Sequence, residues 1–292
     1  MALAVSGGPD SLALLLLAHA SFPGHVEAAT VDHRLRAESG AEAAFVASVC
    51  ASLDVRHETL TIDPLPPGNV SANAREARYG ALGGWMERRG LDWLLTAHHA
   101  DDQLETMIMR FNRGSGVAGL AGVRRRQGVI LRPLLRWRRG EMHAVVADAG
   151  LTPVEDPSNS DDRYDRARLR KALAGADWLD PLAASDAAAT LAAADDALIW
   201  MADQLAAGLI SSCASGVTLD RDRVDLPPEL LRRLVLRAMA RVDPDFTTRG
   251  PELTRFVRSL DAGRPATLAG IAARPAADGW HFAPAPPRRA PV

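Results

Sequence analysis

Between Ala2 and about Gly150, short apolar extended stretches alternate with segments whose apolar residues recur every three to four positions. The first stretch is LAV at 3–5. A glycine-bearing hexapeptide follows it, and then the apolar run LALLLLAHA, which predicts a helix over 11–20. VEAATVDH (26–33) precedes SGAEAAFVASVCASLD, where Ser39 and Glu42 have capping-box spacing and the helix should end near Asp54. VRHETLTI (55–62) is the third extended run; past the proline-rich PLPPG comes a helix expected over 71–89 and stopped by Gly90. DWLLTAHH (92–99) reads as the fourth strand. From about Ala100 to Arg113, Leu104, Met107, Ile108 and Phe111 recur at i, i+3, i+4 and i+7, the stripe of a helix packed on a sheet. VILRPLL and EMHAVVADAG complete the alternation. Strands alternating with helices predict an α/β fold, a doubly wound parallel sheet with helices on both faces.

Past Gly150 the pattern changes. EDPSNSDDRYDRARLRKAL is polar and then helical, ADWLDP (176–181) marks a boundary, and 182–210 is a long alanine-rich amphipathic helix. The remaining residues predict a second, smaller, mostly helical domain: helices in PELLRRLVLRAMARV and PELTRFVRSL, short strand-like pieces ending near Phe282, and APAPPRRAPV as a disordered tail. The expected division is a large domain over 1–175, a linker-helix region over 176–212, a small accessory domain over 213–283 and a tail over 284–292.

Composition narrows the class. A chain of 292 residues suggests two domains, and no stretch approaches the roughly 20 apolar residues that cross a bilayer. LALLLLAHA lies behind a polar loop with no basic region before it and no cleavage site after it, which argues against a signal peptide. A cytoplasmic chain with no membrane partner is the expectation. Cys50 and Cys213 belong to no C-x-x-C or Cys/His cluster, which argues against a disulfide framework, a structural zinc or an iron–sulfur centre; both are expected as small core residues. The net charge of −2 conceals an asymmetry, because Lys171 is the only lysine and RRRQGVILRPLLRWRR (124–139) carries seven arginines and no acid. Such a stripe is the footprint of a polyanion partner, although an arginine bias also follows from GC-rich coding.

The hexapeptide SGGPDS (6–11) carries the first chemistry. A strand, a tight glycine turn and a helix N-terminus make an anion site, since unpaired N–H groups and the positive end of the helix dipole face one point. Gly7 and Gly8 permit positive φ and close backbone approach, Ser6 and Ser11 add hydroxyls, and Asp10 could hold a magnesium ion or orient a substrate group. The spacing is neither that of a P-loop, so there is no P-loop lysine, nor that of a dinucleotide turn. In DDQLET, Asp102 and Glu105 are three apart and share a helix face, which the apolar stripe is expected to turn toward the strand ends. Paired acids there could bind a cation or an amine or move protons; first-turn acids also simply complement a helix dipole. His98 and His99 end a buried strand, either as capped structural residues or as site residues. RGSGVAGLAGV (113–123) has four glycines and should be a mobile loop leading into the arginine run, where Trp137 either stacks on a ligand or sits in the core.

SGGPDS after a short strand resembles the PP-loop of the N-type ATP pyrophosphatases, which cut ATP between the α and β phosphates and adenylate an oxygen of the substrate. Four more stretches, VDHRLR (31–36), AREARY (74–79), TAHHADDQLETMIMRFNRGSGVAGLAGV (96–123) and RPLL with EDPSN (132–135, 155–159), resemble the tRNA(Ile)-lysidine synthetase family, in order and spacing, over roughly residues 3–172. The resemblance implies a catalytic domain over 1–175 and a tRNA-binding role for the accessory domain. It implies that Ser6, Gly7, Gly8, Pro9, Asp10 and Ser11 hold ATP, with Asp32 and His98 beside the nucleotide and Mg2+ on the phosphates through Asp10. It implies that Asp102 and Glu105, with Asp10 close by, hold free L-lysine, that Arg78 steadies phosphate or cytidine, and that Arg170 reaches the α-phosphate. Arg168 and Arg170 fall on the family's R-N-x-[IL]-R segment, where Ala167 replaces the usual asparagine. Segment 113–123 would be a lid ordered by the anticodon loop, with Arg113, Arg124, Arg125 and Arg126 on RNA phosphates.

The implied reaction activates the C2 oxygen of the wobble cytidine of a CAU-anticodon isoleucine tRNA as an adenylate, and lysine's side-chain amine then displaces AMP to give lysidine. A homodimer is carried as an expectation. A PP-loop tRNA thiolase would need sulfur-carrying cysteines, an amidating synthetase would need an ammonia source, and a non-catalytic RNA-binding module would not need SGGPDS and DDQLET together.

Overall fold

The computed structural model describes residues 1–34, 39–62, 70–154, 163, 165–213, 215–221 and 225–286. Leu35, Arg36, PLPPG, EDPSN and the end of the proline-rich tail lie outside them. The chain divides into two compact units, Met1–Ala192 and Ala193–Val292.

The first unit runs β1 (Ala2–Ala4), α1 (Pro9–Ser21), β2 (Glu27–Asp32), α2 (Ser39–Ser52), β3 (Arg56–Thr61), α3 (Val70–Arg89), β4 (Leu94–Leu95), α4 (Ala100–Phe111), α5 (Val117–Leu120), β5 (Arg126–Gln127), β6 (Ile130–Leu131), α6 (Arg139–Asp148) and α7 (Asp165–Leu173) into α8 (Pro181–Leu209). Its sheet has the order β3-β2-β1-β4-β6-β5. All neighbours are parallel except β5 and β6, which form an antiparallel edge hairpin. The chain steps from β1 outward to β2 and β3, then returns to β4 on the other side of β1. Ligands of doubly wound sheets sit outside the carboxyl ends of the strands where the order reverses in this way. The loops after β1 and β4 therefore meet there.

Helices cover both faces. Leu12, Ala13, Leu14 and Leu15 of α1 are fully buried in a core shared with Leu3 and Val5, Val46 and Val49 of α2, and Met142 and Val146 of α6. Leu82, Trp85 and Met86 of α3 pack on the other face against Ala2, Ala29, Leu60 and Leu94. Trp137 packs against the first core, which decides between its two sequence readings. The fourth strand is shorter than the apolar run 92–99: its ladder covers Leu94 and Leu95, paired with Ala2 and Leu3 on one side and Ile130 and Leu131 on the other. After one more bond, Thr96 N–H to Leu131 O at 3.0 Å, the chain turns toward α4.

α4 corrects the sequence reading. Its buried residues are Ala100, Asp102, Gln103 and Glu105, whereas Leu104, Met107 and Ile108 are half-buried and Phe111 is 73% exposed. None of the four apolar residues joins the cores formed by the described residues. The periodicity gave a helix but the wrong inward face, because arginines from other elements neutralise the acids and so permit their burial.

The second unit completes α8 and adds β7 (Ile210–Cys213), β8 (Gly216–Leu219), α9 (Pro228–Val242), α10 (Gly250–Asp261), β9 (Ala266–Leu268), β10 (Ile271–Ala276) and β11 (Gly279–Pro284). The strand-like pieces join in one five-stranded antiparallel sheet, order β7-β8-β11-β10-β9. Leu234, Val235 and Met239 of α9 and Leu253, Phe256 and Leu260 of α10 pack against Leu219, Trp280 and Phe282. Gly279 turns the last hairpin at φ +123°, where a Cβ would lie 2.1 Å from Leu219 O. Arg233 is buried against Asp195 and Glu229, a charge taken out of water only because both carboxylates answer it. Cys50 is a core residue as expected, but Cys213 is exposed at the end of β7, its Sγ 3.4 Å from Ser215 Oγ. No helix among the described residues is long and apolar enough to cross a membrane.

Candidate active site

The loop after β1 is built by its own backbone. Gly7 sits at φ +88°, a conformation that calls for glycine, and a Cβ there would stand a tight 3.2 Å from Val46 Cγ2. Val154 N–H donates to Gly7 O at 3.0 Å and fixes the loop from the far side. Ser11, expected as a hydroxyl donor to a phosphate, is buried; its Oγ accepts from Ser6 N–H at 3.1 Å and donates to Gly8 O at 3.0 Å. Its side chain thus shapes the loop. Gly8 caps α1 and Pro9 brings no N–H to its first turn, so the N–H groups of Asp10 and Ser11, which lack intrahelical acceptors, remain at the positive end of the helix.

Opposite this loop, β4 delivers His99 and the first turn of α4. The His99 ring is fully buried, with Nε2 3.5 Å from both Asp10 Oδ2 and Asp102 Oδ2 and Nδ1 3.4 Å from Asp101 Oδ2. Burial works against a proton on this ring, but the Asp10 and Asp101 carboxylates, aided by Asp102, outweigh it and carry its pKa up to about 9. The three carboxylates thus favour the protonated ring, from 3.4–3.5 Å and without a hydrogen bond to either ring nitrogen among the described residues. Burial also opposes ionisation of Asp101, yet His99 and the Arg139 N–H, 2.8 Å from Asp101 Oδ2, bring that carboxyl down to about 2. Asp10 is lowered too: burial is again outweighed, by His99 first and then by Arg139 and His143. Among the described residues its Oδ1 has no hydrogen-bond donor, His143 Nε2 standing 3.9 Å away. An orphaned anionic oxygen at the mouth of a phosphate loop fits a magnesium ion.

Glu105 anchors the third part. Its side chain is 3% exposed and accepts from Arg170 Nε at 2.7 Å and Arg139 Nη2 at 2.8 Å on Oε1, and from Arg166 Nε at 2.7 Å on Oε2. Arg166 Nη2 also donates to Asp102 Oδ1 at 3.2 Å, and Arg170 Nη2 lies 3.7 Å from the same oxygen. These guanidiniums overcome burial and hold the Glu105 carboxyl below its usual range. A cleft of about 360 Å³ opens beside them, lined by Asp101, Leu104, Glu105, Arg139, Arg170 and the 173–181 turn.

The other flank is basic. Asp32, at the end of β2, accepts the Arg34 N–H at 2.8 Å, which with Ser39 holds its carboxyl low. His98 pairs with a hydroxyl and not with the acids: its Nδ1 lies 3.0 Å from Thr96 Oγ1, and burial, with Arg132, Arg75, Arg166 and Arg78 nearby, drives its pKa down to about 3. It is a neutral ring. Arg78 is half-buried on α3, its Cζ 5.5 Å from the Tyr79 ring centre; burial lowers its pKa. Arg78 also acts on His33, lowering it after burial does.

Segment 113–123 is more anchored than its glycines suggested. Gln103 Nε2 donates to Val123 O at 2.8 Å and its Oε1 accepts Val123 N–H at 2.7 Å, while Arg110 Nη1 donates to Gly119 O at 2.7 Å and Gly122 O at 3.2 Å. Four residues of it are helical, as α5. Two α4 side chains thus clamp the segment to the helix that bears the acids. Beyond the clamp, Arg113 is exposed and pairs with Asp165 at 3.2 Å, Arg125 and Arg126 are exposed, and Arg124 is half-buried. Arg126 Cζ lies 4.7 Å over the Trp93 ring, and Arg132, buried beneath the hairpin, donates to Arg124 O at 2.7 Å.

The structure gathers Asp10, Asp102, Glu105 and Arg170 into one cluster and sets Asp32, Arg78 and His98 on the flank. Arg168 points elsewhere, toward Asp165. Four members were missed in the sequence: His99, Asp101, Arg139 and Arg166. Adjacent histidines and adjacent aspartates in HHADD gave no means of choosing between neighbours, and the arginines come from elements 34 and 61 residues beyond Glu105.

Comparison with known proteins agrees with this geometry. A family model described as a PP-loop domain matches residues 1–176. The chain is 45% identical to a tRNA(Ile)-lysidine synthase of Novosphingobium aromaticivorans, covering 98% of this chain and 89% of that one. It is 41% identical to a tRNA(Ile)-lysidine synthase of Zymomonas mobilis subsp. mobilis, covering 100% and 90%. Among solved structures, the U34-tRNA thiolase NcsA of Methanococcus maripaludis superposes with a TM-score of 0.52 at 15% identity over 65% of this chain and 68% of that one, a likeness of fold. The loop, the acids of α4 and identities of 41–45% over nearly the full chain lead to one assignment: the chain belongs to the tRNA(Ile)-lysidine synthase family.

Proposed function

We propose that this chain joins lysine to C2 of the wobble cytidine of a CAU-anticodon isoleucine tRNA, using ATP and releasing AMP and pyrophosphate. The observation that carries the reading is the meeting of the amide-lined loop 6–11 with the acids of α4 through His99, 3.5 Å from both Asp10 and Asp102. Adenylation and amine attack need these two halves within bonding reach.

The N–H groups of the loop bind the phosphates, with Asp32 and His98 on the nucleotide flank. As a neutral ring, His98 can accept or donate a hydrogen bond without repelling or trapping charge. Asp10 Oδ1 would hold magnesium, which when bound neutralises charge on the departing pyrophosphate. The cytidine O2 attacks the α-phosphorus, the α–β bridge breaks, and the base is left carrying AMP at C2. Lysine's side-chain ammonium gives one proton to solvent, the free amine bonds to C2 as the C2–O bond to AMP breaks, and the newly bonded nitrogen gives a second proton to water. Asp102 and Glu105 hold the incoming ammonium. Arg166 and Arg170 occupy those oxygens now, as the resident cations of the pair; entry of lysine releases Arg170 toward the α-phosphate, with Arg78 on the cytidine side. The arginine-held Glu105 is too weak a base for the amine and serves as counter-charge.

The stretch over 213–283, within the second unit, is read as the accessory tRNA-binding domain, and the cytoplasm as the site of action. Thiolation is disfavoured because Cys50 is buried and burial pushes its thiol up to about 11, while Cys213, though exposed, belongs to the second unit and not to the loop and acids described above. The test is incubation with the CAU-anticodon transcript, ATP and labelled lysine, with nucleoside analysis. Lysidine formed only with all three supports the reading; a sulfur-containing nucleoside, or no ATP-dependent product, defeats it. Asp102→Asn should lower kcat/KM for lysine about 100-fold, because a charged partner of the ammonium is lost.

A further inference from the structure

Among the described residues the apolar stripe of α4 joins none of the apolar cores: Leu104, Met107 and Ile108 are half-buried and Phe111 is exposed. At 100° per residue Leu104, Met107, Ile108 and Phe111 centre about 170° from Asp102 and about 110° from Glu105. Phe111 is 73% exposed, so its ring gains little from burial where it stands. The stripe begins at the site itself, since Leu104 lines the cleft with Asp101, Glu105, Arg139 and Arg170. Past its other end stands Arg113, whose side chain is 63% exposed. A row of apolar faces between guanidiniums matches a splayed single strand: bases stack on rings, and phosphates pair with arginine. A purely apolar protein partner would not require the cations.

We propose that Phe111 stacks on a base of the tRNA anticodon loop beside the nucleotide that enters the cleft, with the α4 stripe forming the shelf beneath that strand and Arg113 on its phosphate. This rests on the functional reading above and adds a substrate-positioning residue to it. Leu104, which lines the cleft, and Phe111 share one face of the helix and lie about 10 Å apart along it at 1.5 Å per residue, close to three stacked nucleotides at ~3.4 Å each. The shelf therefore lies within reach of one anticodon loop.

The test compares Phe111→Leu, which keeps an apolar side chain but removes the ring, with Phe111→Trp, which keeps a stacking face. Full-length proteins are assayed for lysidine formation and, without ATP or lysine, for equilibrium binding of the anticodon stem-loop RNA. F111L should raise KM for tRNA and the stem-loop Kd by roughly 10-fold, within the range for one lost stacked base. Its kcat at saturating tRNA and its KM for lysine should stay within about twofold of wild type, and F111W should match wild type throughout. Unchanged RNA affinity in F111L overturns the shelf, as does F111W failing alongside F111L. A change of oligomeric state in F111L by light scattering also overturns it, since a second copy would then cover the stripe. Wild type that binds the stem-loop but makes no lysidine defeats the reaction reading instead, and the RNA affinities of the variants still decide the shelf.

Discussion

At the scale of single residues, His99 carries the sharpest expectation. Its pKa of about 9 stands above the ~6.5 of an unfolded chain. The folded state therefore binds its proton more tightly, and the contribution is complete below pH ~6.5 and fades as pH rises through about 9. Asp101 has the opposite sign: held near 2, it stabilises above pH ~4 and loses that contribution as pH falls toward 2. These are two views of one contact set, so they are not added. His99→Asn should lower stability by about 3 kcal/mol near pH 6, the cost of leaving buried carboxylates without their cation. Urea unfolding between pH 6 and 10 checks this: wild type should lose stability between about pH 6.5 and about 9 and level off above that, and the variant should not. A wild-type curve flat to pH 10 would show that the ring is neutral. Glu105→Gln should also destabilise, by about 3 kcal/mol, since three guanidiniums would face an uncharged amide; its Tm should fall even without substrates.

At the scale of elements, α4 does three jobs at once. Its first turn presents the acids, Gln103 and Arg110 clamp 119–123, and its apolar stripe looks outward. The clamp couples the stretch leading into the arginine hairpin to the helix that holds the acids. Gln103→Ala removes both bonds to Val123, which should cost roughly 2 kcal/mol. Hydrogen exchange at 119–123 should quicken by one to two orders of magnitude while α1 and α6 stay protected. Equal protection in both proteins would mean that Arg110 alone holds the segment. The reversed face of α4 also shows a limit of periodicity. A hydrophobic stripe marks which residues share a side, but whether that side faces the core depends on what neutralises the other one.

At the scale of the whole molecule, a net charge of −2 coexists with a strongly basic surface around 113–126. RNA binding should therefore depend on salt through counterion release despite the acidic total. Replacing Arg113, Arg125 and Arg126 together by alanine should reduce the slope of log K against log salt by about 2, near 0.7 per single-strand phosphate contact. The KM for lysine should not change. A slope identical to wild type would place the RNA on another surface.

The sequence by itself determined the alternation of strands and helices, the loop at 6–11, the acids at 102 and 105 and the change of character past Gly150. Each of these is local: glycines permit a backbone path, a helical period aligns residues three and four apart, and turn residues end elements. Only the tertiary structure decided which way α4 faces, that His99 and not His98 takes the proton, that Ser11 turns its hydroxyl into the loop, and that Cys213 is exposed. Those outcomes depend on charges and packing partners brought together from distant segments. The burial of Glu105 rests on Arg139, Arg166 and Arg170, 34 to 65 residues away in sequence, and no local pattern encodes that cancellation of charge.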